Sequence, residues 1–233
     1  TTVNVLSEKD NSTNYMWCFM SMPKENPSVV FEYNASRSGD VAGNFLKGFS
    51  GYLQTDAYSG YNSLKLQSNI TGVGCFAHCR RKFFEITKIT KNPGSAHIGL
   101  KFINKLYKIE SDAKELKLNY EELYSYRQEQ SVPILNEFKD WLDKTAPRAS
   151  PKSAIGLAIN YTLNQWKYLI NYCLDGRLEI DNNAIERMIK PFALGRKNWM
   201  FAGNTKGACA SAIIYSLVQT CKINNIEPYE YFR

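Results

Sequence analysis

Two carboxylates stand out by what surrounds them. Asp56 closes the strand-like run Tyr52-Leu53-Gln54-Thr55-Asp56 and is followed by the turn-forming Ala57-Tyr58-Ser59-Gly60-Tyr61. A carboxylate at the C-terminal end of a buried strand faces the crevice where α/β proteins bind ligands, and its hard oxygens suit Mg²⁺. The same residue can cap the turn, because Asp accepts from backbone N–H groups two residues on. Glu186 lies in Asp181-Asn182-Asn183-Ala184-Ile185-Glu186-Arg187-Met188-Ile189-Lys190. Ala184, Ile185, Met188 and Ile189 form an apolar stripe, which leaves Glu186 on the other face beside Asn182, Asn183 and Lys190. Here too a plainer role exists, with Asp181 as N-cap, Glu186 in the first turns and Lys190 as its i+4 partner. Taken alone, each carboxylate is better explained by these local roles than by catalysis.

Basic residues cluster near both. Arg80, Arg81, Lys82, Lys88 and Lys91 form one group; Lys190, Arg196, Lys197 and Lys206 form another around Trp199 and Phe201. Lys and Arg interleaved with aromatic rings suit a nucleic-acid backbone and its bases, and the alternative is a solvated helix face. Cys75, His78 and Cys79 raise the question of zinc, but His97 is the one other histidine and no second pair has finger spacing. His78 shares a helical face with Arg81, Lys82 and Glu85, as a polar-face residue would. Neither a Gly-x-Ser-x-Gly elbow nor a Walker loop occurs.

The elements that must position these groups read as follows. Strands are predicted over 2–6, 15–22 and 28–33, separated by turn-rich 11–14 and 23–27, which suggests an antiparallel meander. A helix over 38–47 has Ser38 as N-cap and Gly48 as its stop. Strands over 51–55 and 70–75 flank a helical turn at 59–64. From Phe76 to Tyr172 the pattern is helical, with apolar stripes Phe76, Cys79, Phe83, Ile86 and Ile155, Ile159, Trp166, Ile170, broken at 92–94 and 146–151. A helix over 182–190 is expected to stop at Pro191, and a last helix over 205–221 is expected in the core. The order β-β-β-α-β-α-β-α is that of an α/β, RNase H-like core: a mixed sheet, three antiparallel strands first, interrupted by a large α-helical insertion.

Composition agrees with a globular protein: 233 residues, 44% hydrophobic and 22% charged, which excludes disorder and fibrous repeats. A net charge of +7 favours a polyanionic partner. Six dispersed cysteines without a Cys-x-x-Cys pair suggest reduced, intracellular thiols. The longest uncharged stretch, 207–221, falls short of the roughly 20 residues a membrane span needs, and residues 1–10 have neither the basic nor the apolar region of a signal peptide. The chain starts without Met inside an apolar run, as expected of a piece of a longer protein.

Four ordered blocks resemble transposases of the insertion sequence 66 family: the segment around Thr55-Asp56-Ala57-Tyr58-Ser59-Gly60-Tyr61, then Gly74-Cys75-Phe76-Ala77-His78-Cys79-Arg80-Arg81-Lys82-Phe83-Phe84, then Asp181-Asn182-Asn183-Ala184-Ile185-Glu186-Arg187, then Ala193-Leu194-Gly195-Arg196-Lys197-Asn198-Trp199-Met200-Phe201-Ala202-Gly203. The closing segment 220–229 is similar as well. The resemblance implies a DDE transposase whose two Asp and one Glu bind two Mg²⁺ ions, with Mn²⁺ as substitute. Asp56 matches the second Asp and Glu186 the Glu, 130 positions further on, a gap that the helical insertion fills. The first Asp belongs just before the apolar run that here begins at Thr1, so it is expected upstream and the segment by itself is expected to be inactive; Asp10, in the turn after the strand, is a poor substitute.

The implied reaction nicks transposon ends and joins their 3′-hydroxyls to target DNA. Arg80, Arg81, Lys82, Lys190, Arg196 and Lys197 are the candidates for phosphate contacts and Trp199 for stacking, with His78 and Asn183 as active-site support. Also implied are a homo-oligomer on DNA, a cytoplasmic place at the nucleoid and no membrane association. Residues 1–91 and 173–233 would form the core, and 92–172 the insertion. The competing expectations are a non-catalytic DNA-binding or assembly module and a nuclease without strand transfer.

Overall fold

The computed structural model describes residues 1–6, 13–21, 26–89 and 94–233. In chain order the elements are β1 (Thr2–Asn4), β2 (Thr13–Ser21), β3 (Ser28–Asn34), α1 (Gly39–Phe45), β4 (Gly51–Gln54), α2 (Asn62–Lys65), β5 (Ile70–Val73), α3 (Phe76–Ile89), α4 (Ser95–Glu115), α5 (Tyr120–Tyr126), α6 (Val132–Thr145), α7 (Ala154–Leu169), α8 (Asn183–Trp199), α9 (Thr205–Ile223) and α10 (Pro228–Phe232). Packing divides them into two compact units, Thr1–Lys47 with Asn183–Arg233, and Gly48–Asn182. The described strands form a three-stranded sheet and a two-stranded one, so the chain is a mixed α/β protein.

In the first unit β1, β2 and β3 make the expected antiparallel meander, with Thr2 opposite Tyr15 and Cys18 opposite Phe31. The expected turn residues 11–12 and 23–25, and Asp10, lie outside the described residues. Period-two alternation puts Val3, Met16, Val29 and Phe31 on one face, where Phe192, Ala208 and Ala212 complete the core. α1 starts where Ser38 predicts: its hydroxyl accepts from Asp40 N–H.

α9 runs along the open edge of β3. Ser216 Oγ accepts from Phe31 N–H at 2.8 Å, Thr220 Oγ1 accepts from Val29 N–H at 3.0 Å, and Asn224 Nδ2 donates to Pro27 O at 2.8 Å. Four helical residues rise about 6 Å and two strand residues about 6.6 Å, so side chains at i, i+4 and i+8 keep step with alternate strand residues. The hydroxyls satisfy the edge that a further strand would otherwise pair with.

One expectation is corrected here. The helix that begins at Asn183 does not stop at Pro191 but continues to Trp199. Pro191 has no N–H for the carbonyl of Arg187, a loss of about 3 kcal/mol in a helix interior. The next residue, Phe192, is completely buried, with ring centroids 5.2 Å from Tyr215, 5.4 Å from Trp199 and 6.4 Å from Phe31. Burying such a side chain contributes about 1.5–3 kcal/mol, and the ring pairs add to it. Tertiary packing therefore offsets the local penalty.

In the second unit β4 and β5 pair in parallel, Gly51 opposite Ile70 through Gln54 opposite Val73. Helices α3 to α7 occupy the stretch read as helical, around a core that includes Phe76, Phe83, Ile103, Phe138 and Ile159. Between α5 and α6 the chain makes a π-helical turn, Arg127–Ser131, and Arg127 is 1% exposed. Its guanidinium makes a two-pronged pair with Glu110 on α4, at 2.9 and 2.7 Å. It also donates to the carbonyls of Tyr172, Asp175 and Leu178. No helix among the described residues is long and apolar enough to cross a membrane, and all six cysteines are free of disulfides.

Candidate active site and nucleic-acid interface

Asp56 follows β4 by two residues and is half-buried. The strand continues its pairing one step further through Thr55 N–H to Val73 O at 3.0 Å. Asp56 Oδ1 accepts from Tyr58 N–H at 3.0 Å, the turn-capping geometry that the Asp-Ala-Tyr spacing allows. Its carbonyl accepts from Lys65 Nζ at 3.2 Å. Lys65 is 7% exposed, and burial lowers its pKa while Asp56 raises it. Its ammonium also lies 4.7 Å from the Tyr168 ring centroid. Gly72 makes this stack possible: a Cβ there would come within 3.0 Å of the Tyr168 ring and 3.1 Å of the Lys65 stem. Lys65 and Tyr168 carry no signal in the sequence that joins them to Asp56.

The strand that ends at Asp56 also holds the segment leading to α8. Gln54 Nε2 donates to Glu179 O at 2.7 Å and to Gly74 O at 3.2 Å. Phe76 N–H donates to Ile180 O at 3.1 Å. Tyr107 donates to Asp181 Oδ2 at 2.7 Å; burial and that carboxylate push the phenol well above its ordinary value, so it remains a donor. Cys75 Sγ donates to Asn182 Oδ1 at 2.9 Å, and Asn182 N–H returns to the sulfur at 3.4 Å. His78 Nδ1 is 3.2 Å from the same sulfur, so this histidine is half-buried at the base of α3. The polar Gln54 inside an otherwise apolar strand is a sequence signal for this clasp, whereas Tyr107 and Arg127 are not distinguishable from ordinary helix residues.

Burial raises the thiols of Cys75 and Cys79, the latter to about 12. Cys79 Sγ lies 3.1 Å from Thr162 Oγ1, whose own proton goes to Ala158 O, so the thiol is the donor. Among the described residues no three His, Cys, Asp or Glu side chains gather into a metal site. Asp56 and Glu186, both half-buried, are donors of the kind Mg²⁺ takes. They belong to different units, Asp56 to 48–182 and Glu186 to the other.

On α3, Arg81 and Lys82 are exposed and Arg80 is half-buried. Arg80 Nε donates to Asn104 Oδ1 at 3.0 Å, and its guanidinium lies 5.4 Å from the Phe84 ring, which Lys88 also approaches at 4.7 Å. Lys91 lies outside the described residues. Asn183, Glu186, Lys190, Arg196, Lys197 and Trp199 are all on α8. Because that helix passes through Pro191, Glu186, Lys190 and Lys197 (i, i+4, i+11) share one face, with both lysines exposed. Arg196 instead donates to the carbonyl and hydroxyl oxygens of Thr2 on β1. Trp199 is seven residues beyond Phe192, on the same buried-side face, and packs edge-on against it. Phe201, 44% exposed, is the open ring of this cluster.

The family described as Transposase IS66 family matches residues 1–210. Three proteins of Sinorhizobium fredii (strain NBRC 101917 / NGR234), each named as uncharacterized, are similar to the chain. y4hP is 31% identical over 98% of this chain and 45% of its own length, y4jD 34% identical over 87% and 40%, and y4qI 34% identical over 88% and 39%. The chain thus spans less than half the length of these curated relatives. No solved structure matches it.

Proposed function

Since the chain belongs to the IS66 transposase family, we propose that it carries the catalytic core of a DDE transposase, which cuts transposon-end DNA and joins the 3′-hydroxyl to target DNA. The match over residues 1–210 carries this reading. The element order supports it: an antiparallel meander, a helix, a strand with Asp56 just beyond its end, a second parallel strand, and then helices. In this reading residues 1–91 and 173–233 build an RNase H-like core and 92–172 are inserted in it.

Asp56 and Glu186 would hold Mg²⁺, or Mn²⁺ in its place, which supplies charge stabilisation to the attacking and leaving oxygens of an in-line displacement. A further Asp, which the family resemblance sets before β1, would complete the triad. The Tyr58 N–H on Oδ1 orients the Asp56 carboxylate, and the Lys65 ammonium on the main-chain carbonyl holds the backbone beneath it. His78, through Cys75, supports Asn182 of the segment before α8, and Asn183 would serve as further active-site support. Exposed Arg81, Lys82, Lys190 and Lys197, with Arg80, neutralise phosphates, and Phe201, the open ring beside the core-packed Trp199, offers the stacking surface. Arg196 acts by holding β1. The protein would work in the cytoplasm on nucleoid DNA as a homo-oligomer.

The test is a cleavage and strand-transfer assay with the whole protein, labelled transposon-end duplex and Mg²⁺. Asp56→Asn and Glu186→Gln should each lower both reactions by more than about 100-fold, since losing even an outer partner of a metal ligand costs 10–100-fold, while duplex binding persists. Variants as active as the parent overturn the assignment. The capping bond to Asp56 Oδ1 favours a second reading, a non-catalytic DNA-binding or assembly module. That reading gains if the whole protein binds ends but never nicks them, and cutting without joining marks a nuclease.

A further inference from the structure

Beyond Lys82, the helical stretch between the two carboxylates holds chemistry that the reading above does not use. On α7, Tyr161 and Tyr168 are seven residues apart, two turns along one face and about 10 Å from each other. Each ring carries an ammonium. Lys82 Nζ of α3 is 4.7 Å from the Tyr161 centroid, and Lys167 Nζ is 4.8 Å from that of Tyr168. Tyr168 also holds Lys65, whose ammonium reaches the Asp56 carbonyl. Asp56 contributes to raising the Tyr161 phenol and Arg81 to lowering it, after burial, Cys79 and Cys75, so that ring belongs to the same neighbourhood. Lys82 and Lys167 are exposed. Among the described residues the lysine–carboxylate pairs lie elsewhere, at Lys108–Asp112 and Lys139–Asp143.

We infer that Lys82 and Lys167, seated on the Tyr161 and Tyr168 rings, form a phosphate track beside Asp56 that binds the backbone of a DNA strand. An ammonium over an aromatic face is attracted by the ring's negative π-cloud, and its flexible stem is held in one place before the ligand arrives. Two ammonium groups, one on each of two rings two turns apart on α7, present positive charge at more than one point along that helix. The track assigns a role to α7, which lies in the stretch expected as an insertion, and to Lys167, Tyr161 and Tyr168, which sequence reasoning passed over. The choice of DNA as the polyanion rests on the proposed transposase function; the positive track does not.

The experiment measures binding of a fluorescein-labelled duplex of about 30 base pairs of mixed sequence by anisotropy between roughly 50 and 200 mM salt. The Lys82→Gln/Lys167→Gln double variant should lower the slope of log affinity against log salt by about 2, one per lysine, with the melting temperature lowered by no more than a few degrees. Lys108→Gln/Lys139→Gln removes the same net charge elsewhere in this unit and should leave the slope unchanged. An unchanged slope in the first variant, or an equal fall in both, overturns the track while leaving the transposase reading intact. Absence of any duplex binding by the parent protein overturns both. Displacement of the duplex by polyglutamate at equal charge concentration would make the face a general polyanion site and overturn its assignment to DNA.

Discussion

Arg127 shows how much a single side chain can organise. It is buried, paired with Glu110 through two hydrogen bonds, and bonded to three carbonyls of the segment that runs toward Asp181. Its guanidinium also lies 5.0 Å from the Tyr172 ring. A planar fork with five donors suits this task, and lysine could not replace it. Arg127→Met leaves the Glu110 carboxylate buried without its partner and three carbonyls unserved, and should destabilise the protein by about 3–5 kcal/mol. Adding Glu110→Leu should recover part of that loss, because the orphaned charge is gone. Urea denaturation of the two variants checks this; a double variant no more stable than the single one would place the cost in the carbonyls alone. In the sequence, Arg127 reads as one more basic residue in a charged helix, since burial and partners 17 to 51 positions away leave no local trace. Asp56 was legible for the opposite reason: strand, acid and turn follow one another directly.

Among the elements, β3 and α9 depend on each other through three matched side chains. Ser216→Ala with Thr220→Val removes both acceptors from the Phe31 and Val29 N–H groups. Each orphaned donor costs about 1–3 kcal/mol, toward the low end at these part-buried positions. The double variant should therefore unfold at lower denaturant with an unchanged slope, and faster amide exchange at Val29 and Phe31 would locate the loss. Stability and exchange equal to the parent's would show that water replaces the hydroxyls. The last helix was legible from its uncharged run, but its Ser and Thr read only as small helix residues. Pairing with a strand some 190 positions away is what gives them their role. Likewise the proline rule predicts a helix end at Pro191, and the burial of Phe192 overrides it. The extra turns bring Lys197 onto the face of Glu186, which a helix ending at 190 could not do.

For the molecule as a whole, the two units are of different kinds. Gly48–Asn182 is one continuous segment with its own apolar core, whereas the other unit is assembled from 1–47 and 183–233. A fragment of residues 48–182 should fold alone, with a helical circular-dichroism spectrum and a cooperative thermal transition; residues 1–47 or 183–233 alone should not, because β3 needs α9 and Val3 needs Phe192. A fragment 48–182 that melts without cooperativity would deny the unit its independence. The net charge of +7 acquires places at this scale, with exposed basic groups on α3 and α7 of one unit and on α8 of the other. The sequence by itself determined the meander, the positions of the helices, the candidate carboxylates and the family, because period-two and 3.6-residue patterns, caps and contiguous motifs are local. Only the tertiary structure decided that α8 outlasts its proline, that hydroxyls cover the β3 edge, and that Lys65, Tyr168 and Lys167 gather near Asp56. Those outcomes depend on burial and on partners distant in the chain, whose energies exceed the local preferences from which a sequence is read.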